Sequence, residues 1–209
     1  MQPEIGYIID QKSLGRTLIF DLDDTIYDES QFLRQQYWSL AQKFSPSDVN
    51  LGYQFLAETF AISGRSNLFQ KFHSRFKLSV DASEILAGFR DYRNAQDLSL
   101  DCHEWVKELL LHYKEEDPLI FITNGNVAQQ AEKIRRLRLD QIHSNIMVIF
   151  ADCFAPKPSI ASFSHLSAQV KLANPIYIGD SNIDRHFARN CSIEFLDIST
   201  FNIGQDVVH

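Results

Sequence analysis

The feature that most constrains the fold is a series of five short apolar runs, rich in β-branched and aromatic residues and bounded by polar turn residues. Near-continuous apolar strands of this kind suit a parallel sheet that is covered on both faces. The runs are residues 17–21, 118–123, 145–150, 175–180 and 192–198. Helical patterns lie on either side of the second run. We therefore predict a doubly wound, Rossmann-like α/β core with a parallel sheet and right-handed crossovers.

The two helical patterns predict which residues face the sheet. In residues 101–116 an apolar stripe runs through Trp105, Leu109, Leu110 and Tyr113. In residues 126–139 the residues at helical spacing are Val127, Ala131, Ile134 and either Leu137 or Arg138. We expect these stripes to be the buried faces of the two helices.

The segment between the first two runs breaks the strand–helix alternation, because residues 30–96 contain helical stretches and no clear strand pattern. A crossover between parallel strands needs only about a dozen residues plus loops. The Ser-Pro pair at 45–46 predicts the end of one helix, and Asp81 with Glu84 has the spacing of a capping box. We predict that residues 30–96 form an inserted helical cap, and that residues 1–29 and 97–209 form the core.

Composition excludes several classes of protein. The 209-residue chain has a formal net charge of −7, which argues against a nucleic-acid or anionic-membrane binder. No window approaches the roughly 18 apolar residues of a membrane span, and the N-terminus lacks a signal-peptide pattern. Three widely spaced cysteines form neither a disulfide framework nor a metal motif. We predict a cytoplasmic protein, in which residues 5–10 are either an extra edge strand or a segment that packs against a partner.

Polar residues that carry chemistry lie at the end of four of the apolar runs or shortly after it. In a parallel sheet the carboxyl ends of the strands lie at one edge, where such folds bind their ligands. We therefore expect these residues to converge. They are Asp21 and Asp23, then Thr123, Asn124 and Gly125, then Lys157, and finally Asp180 and Asp184.

This set of side chains suits phosphoryl transfer. A helix N-terminus after Asn124-Gly125 offers backbone N–H groups to a phosphate, and Thr123 offers a hydroxyl. Lys157 supplies a positive charge. Carboxylates as close as Asp21 and Asp23 repel one another unless a cation offsets them, and hard oxygen ligands suit Mg²⁺. With Asp180 they predict a magnesium site.

The segments DLDDT, TNG, KP and GDSNID, in this order, resemble the four motifs of the haloacid dehalogenase (HAD) superfamily. The resemblance covers about residues 17–198, and the insertion resembles a helical cap of the C1 type. It implies that Asp21 is the nucleophile and forms an aspartyl-phosphate. It implies that Asp23 is the general acid and then the general base. Asp24 and Thr25 are expected to shape the turn after the strand.

The resemblance also implies the remaining roles. The carboxylates of Asp21 and Asp180, with the backbone carbonyl of Asp23, would ligate Mg²⁺. Asp184 would orient Lys157 or a metal-bound water and completes the predicted metal set. Thr123, the Asn124 N–H and Lys157 would hold the phosphoryl group.

The predicted function is a Mg²⁺-dependent phosphatase that acts on a small phosphorylated metabolite such as a nucleotide, flavin mononucleotide or a sugar phosphate. Relatives that dehalogenate carbon or cleave phosphonates lack the second aspartate, so Asp23 favours phosphoester chemistry. A phosphomutase, a receiver-like phosphoacceptor and a non-catalytic module on the same fold are the alternatives. Arg65 and Asn67, in the polar segment SGRSN, are the predicted specificity residues.

Overall fold

A computed structural model describes residues 5–90, 100–114 and 116–200. Its centre is a sheet of five parallel strands in the order β3-β2-β1-β4-β5. The strands are β1 Leu18–Phe20, β2 Leu119–Thr123, β3 Ile146–Phe150, β4 Ile176–Gly179 and β5 Glu194–Asp197. All five predicted runs form strands, and the predicted Rossmann-like α/β fold is confirmed.

The central strand β1 is short, and its position explains its composition. Its Leu18, Ile19 and Phe20 are all buried. Ile19 pairs with Ile120 of β2 on one side and with Tyr177 of β4 on the other. Because the chain leaves β1 in one direction for β2 and β3 and later returns to add β4 and β5, the strand order reverses beside β1. Folds of this kind place their ligands at that reversal.

Five helices accompany the sheet in the described part of the core. They are α1 Ile5–Ser13, α6 Glu104–Leu110, α7 Val127–Leu137, α8 Ala161–Gln169 and α9 Asn182–Asn190. Ile122 and Tyr177 of the sheet share one apolar cluster with Leu166 of α8 and Phe187 of α9. Along residues 5–90, 100–114 and 116–200, the helices are all too short or too polar to cross a membrane.

The N-terminal residues 5–10 belong to helix α1, so the edge-strand alternative is wrong. Within the described side chains of α1, Ile8 and Gln11 are buried, and they lie three residues apart, which is helical spacing. Helix α1 contacts α6. Lys12 forms a 2.9 Å ion pair with Asp117 and lies over the Tyr113 ring. These contacts within the core hold the segment as a helix.

The chain divides into two compact units, residues 1–28 with 99–209 and residues 29–98. The second unit contains four helices in its described part: α2 Glu29–Phe44, α3 Val49–Ser63, α4 Leu68–Phe76 and α5 Ala82–Arg90. Its apolar cluster includes Leu40, Leu56, Phe72 and Ile85. The predicted boundary at 96/97 lies outside the described residues, and the role of this unit as a cap stays a prediction.

Capping residues set the helix boundaries of the second unit. Helix α2 ends before the Ser-Pro pair, and the Asp48 carboxylate accepts a 2.9 Å hydrogen bond from the Leu51 N–H at the start of α3. The Asp81 carboxylate accepts hydrogen bonds from the N–H groups of Ser83 and Glu84 at the start of α5. Side chains that accept from these first N–H groups satisfy donors that have no partner within the helix.

Candidate active site

The predicted catalytic residues of the core lie at the carboxyl ends of adjacent strands. Asp21 directly follows β1, and its N–H donates to the Ile178 carbonyl of β4 at 2.8 Å. Thr123 is the last residue of β2, Asp180 follows β4, and Lys157 lies in the segment between β3 and α8. The parallel sheet therefore brings all four to one edge.

Lys157 joins the first and fourth motifs. Its Nζ lies 2.6 Å from Asp21 Oδ1 and 2.5 Å from Asp184 Oδ1, and it donates to the Tyr177 hydroxyl at 2.7 Å. These contacts use all three ammonium donors. Burial alone lowers the pKa of Lys157, but the Asp21 and Asp184 carboxylates outweigh it and raise the pKa overall. The lysine is a fixed positive charge beside the predicted nucleophile.

Three carboxylates form a cluster that fits a divalent cation. One oxygen from each of Asp21, Asp180 and Asp184 lies within 4.8 Å of the others. Burial raises the pKa of Asp21 to about 7, with further contributions from the charges of Asp184 and Asp23. Burial, then Asp184 and Asp24, raise the pKa of Asp180 to about 6. These carboxylates would be more favourable beside a cation, and their hard oxygens suit Mg²⁺.

Asp184 is held by a capping box at the start of α9. The Ser181 hydroxyl donates to Asp184 Oδ2, and the Asp184 N–H donates to Ser181 Oγ at 3.2 Å. The carboxylate therefore uses Oδ2 for the helix cap and Oδ1 for Lys157. This arrangement suits the predicted role of Asp184 in orienting the lysine.

Asn124 connects the second and third motifs. Its Nδ2 donates to the Lys157 carbonyl at 3.1 Å, and its Oδ1 accepts from the Lys157 N–H at 2.7 Å. The next N–H, of Gly125, donates to the Asp152 carboxylate at 2.9 Å. These reciprocal bonds hold the segment of Lys157 against the start of α7, close to Thr123.

The Asp23 side chain lies against helix α7. Lys133 Nζ lies 2.7 and 2.8 Å from the two Asp23 oxygens, Gln130 Nε2 donates to Oδ2 at 3.0 Å, and the Tyr27 hydroxyl donates to Oδ1 at 2.7 Å. Gln130 also donates to Thr123 Oγ1 at 2.6 Å. The structure therefore joins the predicted acid–base residue to the predicted phosphate-binding hydroxyl.

These contacts correct the predicted face of α7. Val127 and Ala131 are exposed, whereas Gln130, Lys133 and Arg136 are buried and Leu137 is the apolar member of that face. Gln130 and Lys133 are buried against the Asp23 carboxylate, and the buried Arg136 forms a 2.7 Å ion pair with Glu132 of the same helix. The available signal was the three-residue spacing of Gln130, Lys133 and Arg136 on the helix that follows TNG. The stripe predicted for α6 is right at Trp105, Leu109 and Leu110.

Tyr177 is a second residue that the sequence did not reveal. It reads as an ordinary aromatic residue of β4, yet its hydroxyl accepts from Lys157 and donates to the Ile122 carbonyl at 2.8 Å.

The predicted specificity residues Arg65 and Asn67 lie in the second unit. Arg65 Nη2 forms a 2.7 Å ion pair with Glu29 while most of its side chain stays exposed. Asn67 precedes α4 in the left-handed backbone region, with φ of 54°. Their role in specificity stays a prediction.

The nucleophile candidate Asp21 thus lies at the end of β1 with a lysine and further acidic residues around it. Residues 18–198 match the model of the haloacid dehalogenase-like hydrolase family. The chain belongs to this family. The predictions of a HAD superfamily member and of a hydrolase are therefore confirmed.

Curated relatives of this HAD protein include two archaeal enzymes. The glyceraldehyde 3-phosphate phosphatase of Pyrococcus furiosus is 29% identical over 174 residues, covering 79% of this chain and 72% of the relative. That of Pyrococcus abyssi is 25% identical over 173 residues, covering 79% and 73%. Both support a phosphoric monoester hydrolase.

Solved structures agree on the fold. The putative HAD-hydrolase YfnB from Bacillus subtilis has a TM-score of 0.61 at 16% identity, covering 92% of this chain and 91% of that one. A putative β-phosphoglucomutase from Thermotoga maritima has a TM-score of 0.63 at 16% identity, covering 87% and 84%.

Proposed function

We propose that this HAD protein is a Mg²⁺-dependent phosphatase that hydrolyses a small phosphorylated metabolite through an aspartyl-phosphate on Asp21. The observation that carries the proposal is the buried contact of Asp21 with Lys157, 2.6 Å apart and next to the Asp180 and Asp184 carboxylates. The Asp21 carboxylate thus contacts a fixed cation and is itself part of an acidic cluster that can hold a second cation. This is a suitable environment for a nucleophile that attacks an anionic group.

Each step uses side chains at the strand ends. An Asp21 oxygen forms a bond to phosphorus as the bond between phosphorus and the leaving oxygen breaks, and Asp23, in its protonated form, gives its proton to that oxygen and becomes a carboxylate. Lys157 and the Thr123 hydroxyl stabilise the charge on the transferring phosphoryl oxygens. In the second step Asp23 takes a proton from the attacking water, phosphate leaves and Asp21 is regenerated.

The residues present fit a magnesium ion. The carboxylates of Asp21 and Asp180 and the backbone carbonyl of Asp23 would hold it, and Asp184, which also contacts Lys157 and Ser181, would orient the lysine or a metal-bound water. When bound, the ion supplies positive charge that offsets the charge of the phosphoryl group. The Bacillus subtilis protein with the same fold is described as bound to magnesium.

The substrate class rests on the relatives and on the second unit. Because both curated relatives are named as phosphatases of glyceraldehyde 3-phosphate, a three-carbon phosphoester belongs in a substrate panel beside nucleotides, flavin mononucleotide and sugar phosphates. We propose that residues 30–96 act as a cap, with Arg65 and Asn67 contacting the substrate. A cytoplasmic location fits such metabolites.

The test is phosphate release from this panel with and without Mg²⁺. We expect metal-dependent release from at least one compound, and loss of that release in Asp21→Asn because an amide cannot form the acyl phosphate. Asp140→Asn, at an exposed aspartate of the same unit, is the matched control and should keep full activity.

Two results would contradict the proposal. Release that persists in Asp21→Asn would show that another group is the nucleophile. If ³¹P NMR shows that sugar phosphates interconvert without release of phosphate, the protein is instead a phosphomutase.

A further inference from the structure

We infer that Lys133, together with Gln130, is a positioning group for the proton-transfer carboxylate of Asp23. The inference deepens the proposed phosphatase function and rests on it. It concerns two residues of helix α7 that none of the four sequence motifs contains.

Lys133 is a buried lysine that forms an ion pair with Asp23. Its side chain is only 4% exposed, and lysine is almost never so buried unless it is paired. Its Nζ lies within 2.8 Å of both oxygens of Asp23. The free-energy cost of removing a lysine ammonium group from water is offset only by close and well-directed contacts. The ion pair of Lys133 with Asp23 therefore has a defined geometry.

The other contacts of Asp23 complete the restraint. Oδ1 accepts from both Tyr27 and Lys133, and Oδ2 accepts from both Gln130 and Lys133. Rotation of the carboxyl group away from this position would break bonds at both oxygens. Asp23 itself lies beyond the end of β1, and an isolated bridge links its backbone to Tyr27. Four side-chain contacts therefore restrain the carboxylate on both of its oxygens.

Gln130 extends the restraint to the phosphate-binding group. A side-chain amide has two N–H donors, and its Nε2 bonds both Asp23 Oδ2 and Thr123 Oγ1, the latter at 2.6 Å. The Thr123 oxygen accepts this bond, while its hydroxyl hydrogen is directed to the Asn124 carbonyl at 3.4 Å, a long contact that a phosphoryl oxygen can replace. Helix α7 begins four residues after Thr123, so one helix places both the hydroxyl and the acid.

The test exploits the basicity of the leaving group. A phenolate leaving group needs protonation more than a 4-nitrophenolate does, so a misplaced acid should slow phenyl phosphate more than 4-nitrophenyl phosphate. The parameter kcat/KM reports the steps up to departure of the leaving group and excludes the later attack of water. We compare it for the wild type, Asp23→Asn, Lys133→Met and Lys133→Arg, all with Mg²⁺.

We expect Lys133→Met to lower kcat/KM by roughly tenfold or more for phenyl phosphate and by less than about threefold for 4-nitrophenyl phosphate, a part of the 10²–10⁴ typical of general acid catalysis. Asp23→Asn should show the same pattern more strongly. Lys133→Arg keeps the charge and should restore part of the phenyl phosphate activity. Lys171→Met, at an exposed lysine of the same unit, should leave both rates unchanged.

An equal fall for both substrates in Lys133→Met would overturn the inference, because it indicates general structural damage. If thermal unfolding shows that Lys133→Met is not folded, Lys133→Gln, which keeps a neutral donor, undergoes the same comparison with the same criterion. A wild-type protein inert toward both aryl phosphates and the whole metabolite panel would overturn the proposed function and this inference together. By contrast, if the wild type is active and the Lys133 variants keep its ratio of kcat/KM for the two aryl phosphates, only this inference is overturned.

Discussion

At the scale of single residues, Tyr177 shows how a strand residue becomes part of the site. Its ring lies in the apolar cluster under the sheet, 5.0 Å from the Phe187 ring in an edge contact. Its hydroxyl joins Lys157 to the Ile122 carbonyl of β2. A buried hydroxyl with two partners leaves both of them unsatisfied when it is removed.

We therefore expect Tyr177→Phe to lower the free energy of unfolding by about 1–3 kcal/mol and to reduce phosphate release. The matched control is Tyr113→Phe. The Tyr113 hydroxyl is also buried but has no hydrogen-bond partner within the described residues, so its removal should cost little. Urea unfolding and the phosphate-release assay measure both effects, and equal losses in the two variants would show that the bonds of Tyr177 contribute nothing specific.

At the scale of elements, the turn from β4 into α9 depends on a close approach of backbone and side chain. A Cβ on Gly179 would lie 2.8 Å from both Cβ and Cγ of Asp184, closer than carbon atoms pack. Asp184 cannot move freely because Ser181 and Lys157 hold its two oxygens. Glycine at this strand end thus permits the capping box and the lysine contact to coexist.

Gly179→Ala should therefore destabilise the protein by about 1–3 kcal/mol, the usual cost of overpacking, and should reduce activity by displacing Asp184 from Lys157. Gly6→Ala is the matched control, because a Cβ at Gly6 in helix α1 would meet no atom within 4 Å. We expect Gly6→Ala to raise stability by up to about 1 kcal/mol, as alanine favours helices. Thermal unfolding measures both changes, and a Gly179→Ala protein with wild-type stability and activity would contradict this account of the turn.

At the scale of the whole molecule, the acidic cluster links stability to pH and to metal. The pKa values of Asp21 and Asp180 are raised from 3.8 to about 7 and about 6 in the folded state, chiefly by burial. The folded protein then binds these protons more tightly than the unfolded chain does. Their contribution to stability is fully present below pH 3.8 and is lost as the pH rises through about 6 to 7.

We expect Mg²⁺ to raise the Tm little at about pH 4, where the carboxylates are protonated, and strongly at about pH 8, where it replaces their protons. In the metal-free protein, Asp180→Asn should raise the Tm at about pH 8 more than at about pH 4, since it removes one repelling charge. The same substitution should weaken the effect of Mg²⁺.

Differential scanning calorimetry with and without Mg²⁺ gives these values, and Asp140→Asn is the control. The hydrogen bond from Arg135 lowers the pKa of Glu132 to about 2. The stability that Glu132 contributes is therefore lost as the pH falls, and this loss is the same in the wild type and in Asp180→Asn. A Mg²⁺ effect on the Tm that is independent of pH would place the ion away from these carboxylates.

The sequence by itself determined the strands of the sheet, the helical character of residues 30–90 and the core motif residues that lie at the strand ends. These features are local: a strand of the buried sheet needs an apolar run, a helix start needs a capping side chain, and the carboxyl ends of parallel strands meet at one edge. For this reason Asp21, Thr123, Lys157 and Asp180 could be placed together without coordinates.

Only the tertiary structure decided which polar side chains are buried around them. Lys133 and Gln130 meet Asp23 across 110 and 107 residues of chain, and Tyr177 meets Lys157 across 20. A prediction from helical periodicity places the apolar residues inside. It was wrong for α7 because the buried face of this helix carries polar residues that contact Asp23. Residues 5–10 belong to a helix that packs in the core, through its contacts with α6 and the ion pair between Lys12 and Asp117. Each of these outcomes depends on a partner that is distant along the chain, and partners of that kind are brought together only by folding.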